Sequence, residues 1–270
     1  MRALNIAATG MAAQQMRVEV ISNNLSNMST TAYDPRRAEF ADLHYQQVAR
    51  PGTINSTDGT VLPAGVQLGL GVRSAAVAIE VQQGSVTETG GTLDLAIEGE
   101  GYLEVALPNG DVAYTRDGAL KRNGDGLIVT AEGFTVAGDI TIPEDAKDIT
   151  INTACEVYAY FQGQTQAQLL GQFNLTTFVN AQGLEAMGSN LFRETEASGT
   201  PNVGEAGEDG RGTFRQGYLE ASSVDAVREI TGLIEGNQVV PINRKSVVEG
   251  KDVLPGVVPG GCRILKKKTP

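Results

Sequence analysis

The first 28 residues carry an apolar repeat that restricts the possible folds more than any other feature of the chain. Positions spaced alternately by three and four residues form one series: Leu4, Ala7, Met11, Gln14, Val18, Ile21, Leu25 and Met28. Seven of these eight positions are apolar. Such spacing places the side chains on one face of an α-helix as a heptad seam. The repeat therefore predicts an N-terminal helix that packs either on its own domain or on another chain.

The residues after the repeat predict where this helix ends. Asn and Ser side chains are frequent between Ser22 and Thr31, and they weaken a helix because they compete for backbone hydrogen bonds. Pro35 disfavours helical backbone at Asp34, so the helix is predicted to end by about residue 33. Proline and glycine then recur through residues 36–75, which are predicted to form an extended linking segment.

The middle of the chain, residues 76–217, has the pattern of a β-rich domain. Short runs alternate apolar and polar positions, as half-buried strands do. The sequences Pro-Asn-Gly-Asp at 108–111 and Asn-Gly-Asp-Gly at 123–126 predict hairpin turns. Two further strands and then an exposed loop are predicted at 156–161, 171–178 and 198–212. The middle is therefore predicted to be a β-rich outer domain.

A second helix is predicted near the C-terminal end. Ser222 and Ser223 can cap its first free amides. The positions that follow at heptad spacing are Val224, Val227, Thr231 and Ile234. Pro241 removes a helical hydrogen bond, so this helix is predicted to end by about residue 240. Residues 218–270 are thus interpreted as a C-terminal assembly helix with an atypical tail.

Together these patterns predict an α+β fold. The N-terminal assembly helix (1–35) and the C-terminal one (218–270) either come together in one chain or are both free to pair with other subunits. The β-rich middle domain (76–217) and the extended linking segment (36–75) lie between them in sequence.

Composition and residue spacing exclude several classes of function. The net charge of −11 disfavours nucleic acid as a partner, because phosphate binding needs a basic face. A nucleophile triad needs a histidine, and the one present, His44, has no nearby glycine-framed serine. Cys155 and Cys262 have no metal-ligand or redox spacing, and a disulfide between them is a guess. The turn at 123–126 lacks the downstream Glu of a calcium loop. No catalytic, cofactor-binding or metal site is therefore predicted.

The sequence also indicates where the protein is located. No stretch approaches the ~20 apolar residues that span a bilayer. The N-terminus is too polar for the apolar region of a cleavable secretory signal. The chain is therefore expected either to stay in the cytoplasm or to leave by a route that needs no such signal.

The sequence of residues 22–33 resembles the Asn-rich motif near the N-terminus of flagellar rod and hook proteins. The matching positions are Asn24, Leu25, Asn27, Thr31 and Tyr33. Residues 96–102, 113–118 and 216–225 are similar to further motifs of this family. The resemblance covers about residues 1–235 and implies coiled-coil terminal helices that line an axial tube. It also implies passage through the flagellar type III export apparatus, without a cleavable signal peptide.

Within the family, the segment from about residue 46 to residue 72 resembles one that distal rod proteins carry. Its matching positions are Pro51, Gly52, Leu62, Pro63, Gly65, Gly69 and Gly71. The chain departs from the family pattern after residue 236, where a family member usually continues as a helix. An altered reading frame and an unusual natural terminus would both explain this departure.

The resemblance implies a non-enzymatic subunit of the basal-body distal rod that polymerises into a rigid, hollow drive shaft. The predicted assembly seam joins Leu4, Met11, Val18, Ile21 and Leu25 to Val224, Val227 and Ile234. The implied partners are other copies of the chain, neighbouring rod and hook subunits, the surrounding basal-body rings and the export apparatus. The implied place is the basal body, from the periplasm to the outer membrane.

Three alternatives stay open from the sequence. A hook or proximal rod subunit would lack the 46–72 segment or carry it elsewhere. A carbohydrate-binding β module is a second alternative, although the chain has no Trp to stack on a sugar. An enzyme is the third, and no motif favours it.

Overall fold

The computed structural model describes residues 2–50, 65–138, 140–162 and 166–236. The predicted end of the second helix near residue 240, Cys262 and the tail beyond residue 236 lie outside these residues. By its internal contacts the chain separates into two compact units. Among the described residues, the first contains 2–15, 41–50, 65–73 and 235–236, and the second contains 16–40 and 74–234. None of the helices in these ranges is long and apolar enough to cross a membrane.

Helix α1 spans Arg2–Ser26, as the heptad repeat predicts. It ends several residues before the predicted limit, because Ser and Asn side chains turn back onto the helix backbone. The Ser26 hydroxyl donates to the Ser22 carbonyl at 2.8 Å, and the Asn27 amide donates to the Asn23 carbonyl at 2.9 Å. Met28, the last position of the repeat, therefore lies beyond the helix.

The predicted linking segment is extended, and the structure adds that its strands pair. The strands are β1 (Arg36–Asp42), β2 (Tyr45–Ala49), β3 (Val66–Gly69) and β4 (Val72–Ile79). Strand β1 pairs with β4, and β2 pairs with β3 in antiparallel register, with Gln46 opposite Leu68. Sequence alone did not predict this pairing, since Gly and Pro punctuation indicates breaks but not partners.

The middle of the chain is β-rich, as predicted. Its first strands are β5 (Val86–Glu88), β6 (Leu95–Glu98), β7 (Tyr102–Ala106), β8 (Val112–Thr115), β9 (Lys121–Arg122), β10 (Ile128–Val129) and β11 (Thr135–Val136). The next are β12 (Ala146–Ile151), β13 (Glu156–Phe161), β14 (Gln168–Gln172), β15 (Leu175–Thr177) and β16 (Glu185–Gly188). The last are β17 (Leu191–Arg193), β18 (Asn202–Gly204), β19 (Thr213–Gln216) and β20 (Tyr218–Glu220). A short 3-10 helix spans Ala181–Gly183.

One large antiparallel sheet organises this region. Its strand order is β16-β17-β8-β7-β11-β10-β9, and β15 joins it by pairing with β7 and β18. A three-stranded sheet, β12-β13-β14, and the pairs β19-β6 and β20-β5 complete the set. The core side chains are mostly Ile, Val and Leu. The largest that are fully buried include Phe173, Leu95, Ile97, Leu103, Ile128, Ile142 and Leu175.

Both predicted hairpin turns are confirmed. In the turn before β8, the Gly110 amide donates to the Leu107 carbonyl at 3.0 Å. In the turn before β10, the Asn123 side chain accepts the backbone amides of Asp125 and Leu127, both at 2.9 Å. Asn123 therefore closes a hairpin with its side-chain oxygen, as Asn does in many turns.

Two predictions for the β-rich region were wrong in part. The single strand predicted at 171–178 is divided between β14 and β15, because Phe173 leaves the strand and packs fully buried in the core. The stretch 198–212 is not simply an exposed loop. It contains β18, and Ser198, Ala206 and Arg211 are buried.

The second helix, α2, is described for residues 226–236. It begins three residues after the predicted cap. Asp225, rather than Ser222 or Ser223, supplies the capping oxygen, which accepts the amides of Val227 at 2.9 Å and Arg228 at 3.2 Å. A carboxylate at this position also opposes the positive end of the helix dipole.

Candidate functional site

The predicted motif near the end of α1 forms a local clamp around Asn24. The Asn24 side chain is 1% exposed. Its Nδ2 donates to the Arg36 carbonyl at 2.8 Å, and its Oδ1 accepts the Arg36 amide at 2.9 Å. An Asn side chain can hold a backbone residue in this way because it carries a donor and an acceptor side by side. Asn24 thereby fixes the end of the helix to the start of β1.

Neighbouring motif residues reinforce this turn. The Tyr33 hydroxyl donates to Asn23 Oδ1 at 2.8 Å, and Thr30 donates to Asn27 Oδ1 at 3.2 Å. Leu25 is half-buried. The Thr31 carbonyl accepts the side-chain amide of Asn190 at 3.3 Å. The motif therefore connects α1 to the β-rich region through backbone groups.

The same turn contacts the segment that leads into α2. The Ala32 amide donates to the Glu220 carbonyl at 2.9 Å, and the Ser223 amide donates to the Tyr33 carbonyl at 3.1 Å. These bonds hold residues 31–34 beside residues 220–223. Two motifs that the family resemblance identified separately are thus joined in the structure, about 190 residues apart in sequence.

Beneath this junction lies a buried ion cluster, which we define as Asp34, Arg116 and Glu220. Their exposed fractions are 8%, 7% and 3%. Arg116 Nε donates to Glu220 Oε2 at 2.7 Å. Its other nitrogens donate to the carbonyls of Gly101 at 3.2 Å and Gly99 at 2.9 Å. The other oxygen of Glu220 accepts the Gly84 amide at 2.8 Å. Arg116 and Glu220 are therefore well satisfied, as a buried pair requires.

Asp34 is less well satisfied than the pair beside it. Its Oδ1 accepts the Gln82 amide at 3.3 Å. Burial raises the pKa of Asp34 to about 6, and the nearby charge of Glu220 adds to the rise. The Gln82 amide and Arg116 act in the opposite direction. One side of Asp34 borders a cavity of about 400 Å³, which Tyr102 and Arg116 also line.

Sequence analysis did not predict the ion cluster. Arg116 and Glu220 lie within the motifs at 113–118 and 216–225, but a charged residue in a motif is more often exposed than buried. No local pattern marks these residues as buried. Glu220 alternates with the apolar Leu219 and Ala221, which is the pattern of a strand position that faces solvent, and Asp34 lies beside Pro35, a residue type that is mostly exposed.

The predicted assembly seam is divided between buried and exposed side chains. Ile21 is 8% exposed, whereas Leu4 is 49%, Ile234 is 53% and Val227 is 75% exposed. The half-buried members are Met11, Val18, Leu25 and Val224. The structure brings α2 close to Ile21, since a Cβ atom added at Gly232 would lie 3.2 Å from Ile21 Cδ1. Helices α1 and α2 therefore approach each other closely at Ile21 and Gly232.

Of the predicted rod-specific positions, Pro51, Gly52, Leu62 and Pro63 lie outside the described residues. Gly65 and Gly69 are half-buried. Gly71 has a positive φ of 116°, and a Cβ atom there would lie 2.4 Å from the Thr9 hydroxyl oxygen. That oxygen accepts the Val72 amide at 3.4 Å. Glycine at 71 is therefore required both by backbone conformation and by a close approach.

The residues considered for catalysis or metal binding lie in surroundings that do not favour either role. His44 is exposed between β1 and β2. Cys155 is buried, and burial raises the pKa of its thiol, so the reactive thiolate is disfavoured. Within the described ranges, no group of His, Cys, Asp and Glu has an arrangement that could hold a metal ion.

Comparison with known proteins identifies the family. Residues 4–33 match the family described as "Flagella basal body rod protein", and residues 96–159 match "Flagellar hook protein FlgE/F/G D1 domain". The flagellar basal-body rod protein FlgG of Caulobacter vibrioides is 48% identical over 94% of this chain and 97% of its own. The chain belongs to the flagellar basal-body rod protein family.

Other relatives agree with this assignment. The FlgG proteins of Agrobacterium fabrum and Bacillus subtilis are 43% and 33% identical, over 94% and 96% of this chain and 97% and 98% of their own. The predicted membership of the rod family, and a structural rather than enzymatic role, are therefore confirmed. The structure of the Helicobacter pylori flagellar hook protein FlgE2 is similar over 69% of this chain and 43% of its own, with 15% identity. The TM-score is 0.24, which is too low to bear on the fold.

Proposed function

We propose that this rod-family chain is a subunit of the flagellar distal rod and that it polymerises through its two terminal helices. The relatives that match over nearly its whole length are named FlgG and basal-body rod proteins. Assembly into the basal body, next to other rod and hook subunits, follows from that membership. The observation that carries the mechanism is the exposure of apolar side chains on both helices: Leu4, Ile6, Val227, Ile230 and Ile234.

Burial of these side chains in a polymer would supply the energy of assembly. Each apolar side chain of this size contributes roughly 1.5–3 kcal/mol when it is fully buried. Half-exposed residues gain less, but the contacts repeat at every subunit. A head-to-tail contact of this kind gives an open helical filament, because its symmetry does not close. The seam proposed from the sequence, including its coiled-coil pairing of α1 with α2, belongs to this mechanism.

The ribbon formed by β2 and β3 is proposed to stiffen the polymer. A two-stranded ribbon is marginally stable alone in water. Tyr45, Val48, Val66 and Leu68 on this ribbon are all at least half exposed. Packing against neighbouring subunits would bury these side chains and restrict bending. We therefore assign the 46–72 segment to contacts that make the rod rigid.

The remaining assignments rest on the family alone. We propose export through the flagellar type III apparatus without a cleavable signal peptide. We also propose that the rod lies between the periplasm and the outer membrane, with the acidic β-rich region directed towards the surrounding rings. No nucleic acid partner is proposed, since the net charge is −11.

The assembly mechanism is tested by Val227→Asp. Because Val227 is 75% exposed in the single chain, the substitution is expected to leave the monomer folded. Its carboxylate would be buried without a partner in a seam, so rod assembly is expected to fall at least about tenfold. The measurement is recovery of rods in cells that lack the native subunit, together with circular dichroism of the monomer.

Arg228→Gln is the matched control. It changes the charge by the same amount at the next residue, which is exposed and polar. Normal rods from Arg228→Gln and few from Val227→Asp would support the seam. Normal rods and full motility from Val227→Asp would exclude Val227 from it.

A further inference from the structure

The buried ion cluster has an imbalance of charge. Arg116 carries one positive charge, and Asp34 and Glu220 together carry two negative charges when both are ionised. All three side chains are less than a tenth exposed. The guanidinium of Arg116 is already occupied by Glu220, Gly99 and Gly101. Ionised Asp34 therefore leaves a buried negative charge that is poorly compensated, whereas protonated Asp34 leaves the cluster neutral.

The cluster also lies where the segments that join α1 and α2 to the β-rich region meet. Asp34 follows the turn that ends α1, and Glu220 precedes the segment that leads into α2. The backbone of Glu220 accepts the Ala32 amide at 2.9 Å, while its side chain holds Arg116 at 2.7 Å. Any change in the stability of the cluster is thus transmitted to the hydrogen bonds between residues 31–34 and 220–223.

We propose that Asp34, Arg116 and Glu220 form a proton-sensitive clamp, which holds residues 31–34 and 220–223 together more tightly when Asp34 is protonated. Arg116 and Glu220 are the positioning residues of the clamp. Asp34 is its sensor. The cavity of about 400 Å³ beside Asp34 gives the carboxyl a route for proton exchange with solvent.

The direction of the effect follows from the folded and unfolded states. The pKa of Asp34 is raised from 3.8 to about 6 in the folded chain, so the folded state binds the proton more readily than the unfolded state. The stability that Asp34 contributes is therefore complete below its ordinary pKa and is lost as the pH rises through about 6. The clamp is therefore weakest at pH values well above 6.

Other ionisable groups around Asp34 are accounted for. Tyr102 lines the same cavity, and burial raises its pKa to about 12, so it stays neutral throughout this range. Glu100 lines the cavity but is exposed to solvent. Arg36 borders Asp34 from β1 in a second cavity, which Tyr33 also lines. Burial raises the pKa of Tyr33, so its hydroxyl stays neutral in this pH range. Glu220 is held by Arg116. Asp34 is the group whose protonation is both buried and poorly compensated.

The experiment measures amide hydrogen exchange by NMR on the full chain in its monomeric form, at about pH 5 and about pH 7.5, corrected for intrinsic exchange rates. The reporters are the Ala32 and Ser223 amides, which span the junction. Their protection is expected to be roughly tenfold lower at the higher pH, as the pKa difference of Asp34 implies. An amide whose opening leaves Asp34 buried, such as that of Gly110, which donates to the Leu107 carbonyl in the turn before β8, should show no such change.

Asp34→Asn tests whether Asp34 is the sensor. The amide keeps an acceptor for Gln82 and stays neutral, so the fold should be retained and the tenfold difference should vanish. Glu100→Gln removes the exposed carboxylate of the same cavity and should leave the difference unchanged. Equal protection of the wild-type junction at both pH values would overturn the proposal. Persistence of the pH effect in Asp34→Asn would also overturn it.

Discussion

The β-rich core of this chain and its two helical arms, α1 and α2, differ in how far their apolar side chains are exposed to solvent. In the core, Phe173, Leu103 and Val157 are completely buried. In the arms, α1 and α2, several apolar side chains keep about half or more of their surface in water, as Leu4 and Val227 do. The core therefore receives its stabilisation from its own residues. The arms carry apolar surface that is not buried within the single chain.

This contrast separates folding from assembly. A helix whose apolar face is not packed is marginal in water, because most helical stability in proteins comes from packing of that face. A sheet region with a buried core of Ile, Val and Leu does not need a second chain in order to fold stably. A polymer subunit built in this way can fold before assembly. Its helices still expose apolar surface, and burial of that surface can stabilise the polymer.

The largest expected effect is a difference in protease resistance between the two regions of the monomer. A protease of broad specificity should quickly remove the first half of α1, residues 2–15, which contains no buried residue, and the end of α2. Cleavage in the core requires global unfolding, and a domain stability of 5 kcal/mol or more makes it at least about a thousandfold slower. Mass spectrometry of the trimmed fragment gives its ends.

The sequence predicts a trimmed core near residues 36–220. Burial of Ile21 and Asn24 moves the expected N-terminal boundary into α1. A monomer whose α1 resists the protease from its first turn would show that the arms are stabilised without assembly. The contrast between arms and core would then be lost.

A smaller effect is expected from truncation of single side chains. Phe173→Ala leaves a cavity in the core and should lower the free energy of unfolding by about 3–5 kcal/mol. Val227→Ala removes an exposed side chain of α2 and should change it by less than about 0.5 kcal/mol. Urea unfolding of the monomer, followed by circular dichroism, measures both. Similar losses from the two variants would mean that α2 is already packed in the free subunit.

The elements that the sequence predicts correctly are those set by residues close together in the chain. Patterns of short range were predicted well: the heptad repeat gave α1, and the turns at 108–111 and 123–126 gave two hairpins. Each depends on residues a few positions apart. The pairing of β2 with β3 depends on residues that Gly and Pro spacing does not connect, and it was not predicted.

The site was predicted as a set of motifs but not as a structure. Asn24 and Tyr33 were selected by their resemblance to the family motif. That Asn24 clamps the backbone of Arg36, and that the Tyr33 hydroxyl bonds Asn23, became visible only in three dimensions. Arg116 and Glu220 are 104 residues apart. No local pattern marks such a pair, because a buried ion pair needs its partner from elsewhere in the chain to offset the cost of desolvation.

The smallest expected effect concerns two glycines within the arms. Alanine is favoured over glycine in a helix by about 1 kcal/mol. At Gly10 in α1, nothing lies within 4 Å of the position that a Cβ atom would take. Gly10→Ala should therefore stabilise α1 by the full amount of this preference. At Gly232 in α2, the added atom would lie 3.2 Å from Ile21 Cδ1. That methyl group must shift by a few tenths of an ångström, so Gly232→Ala should gain less.

The difference between the two substitutions reports on the contact between the helices. Both place the same methyl group on a helix, and hydrogen exchange of the amides in the substituted helix measures each gain. If α2 lies against Ile21 in solution, Gly232→Ala should increase protection less than Gly10→Ala, and Gly232→Leu should reduce it, because its larger side chain has no space beside Ile21. Equal gains from the two alanines would show that the helices are apart in the free subunit. Ile21 would then join Leu4 and Val227 among the apolar side chains that only assembly can bury.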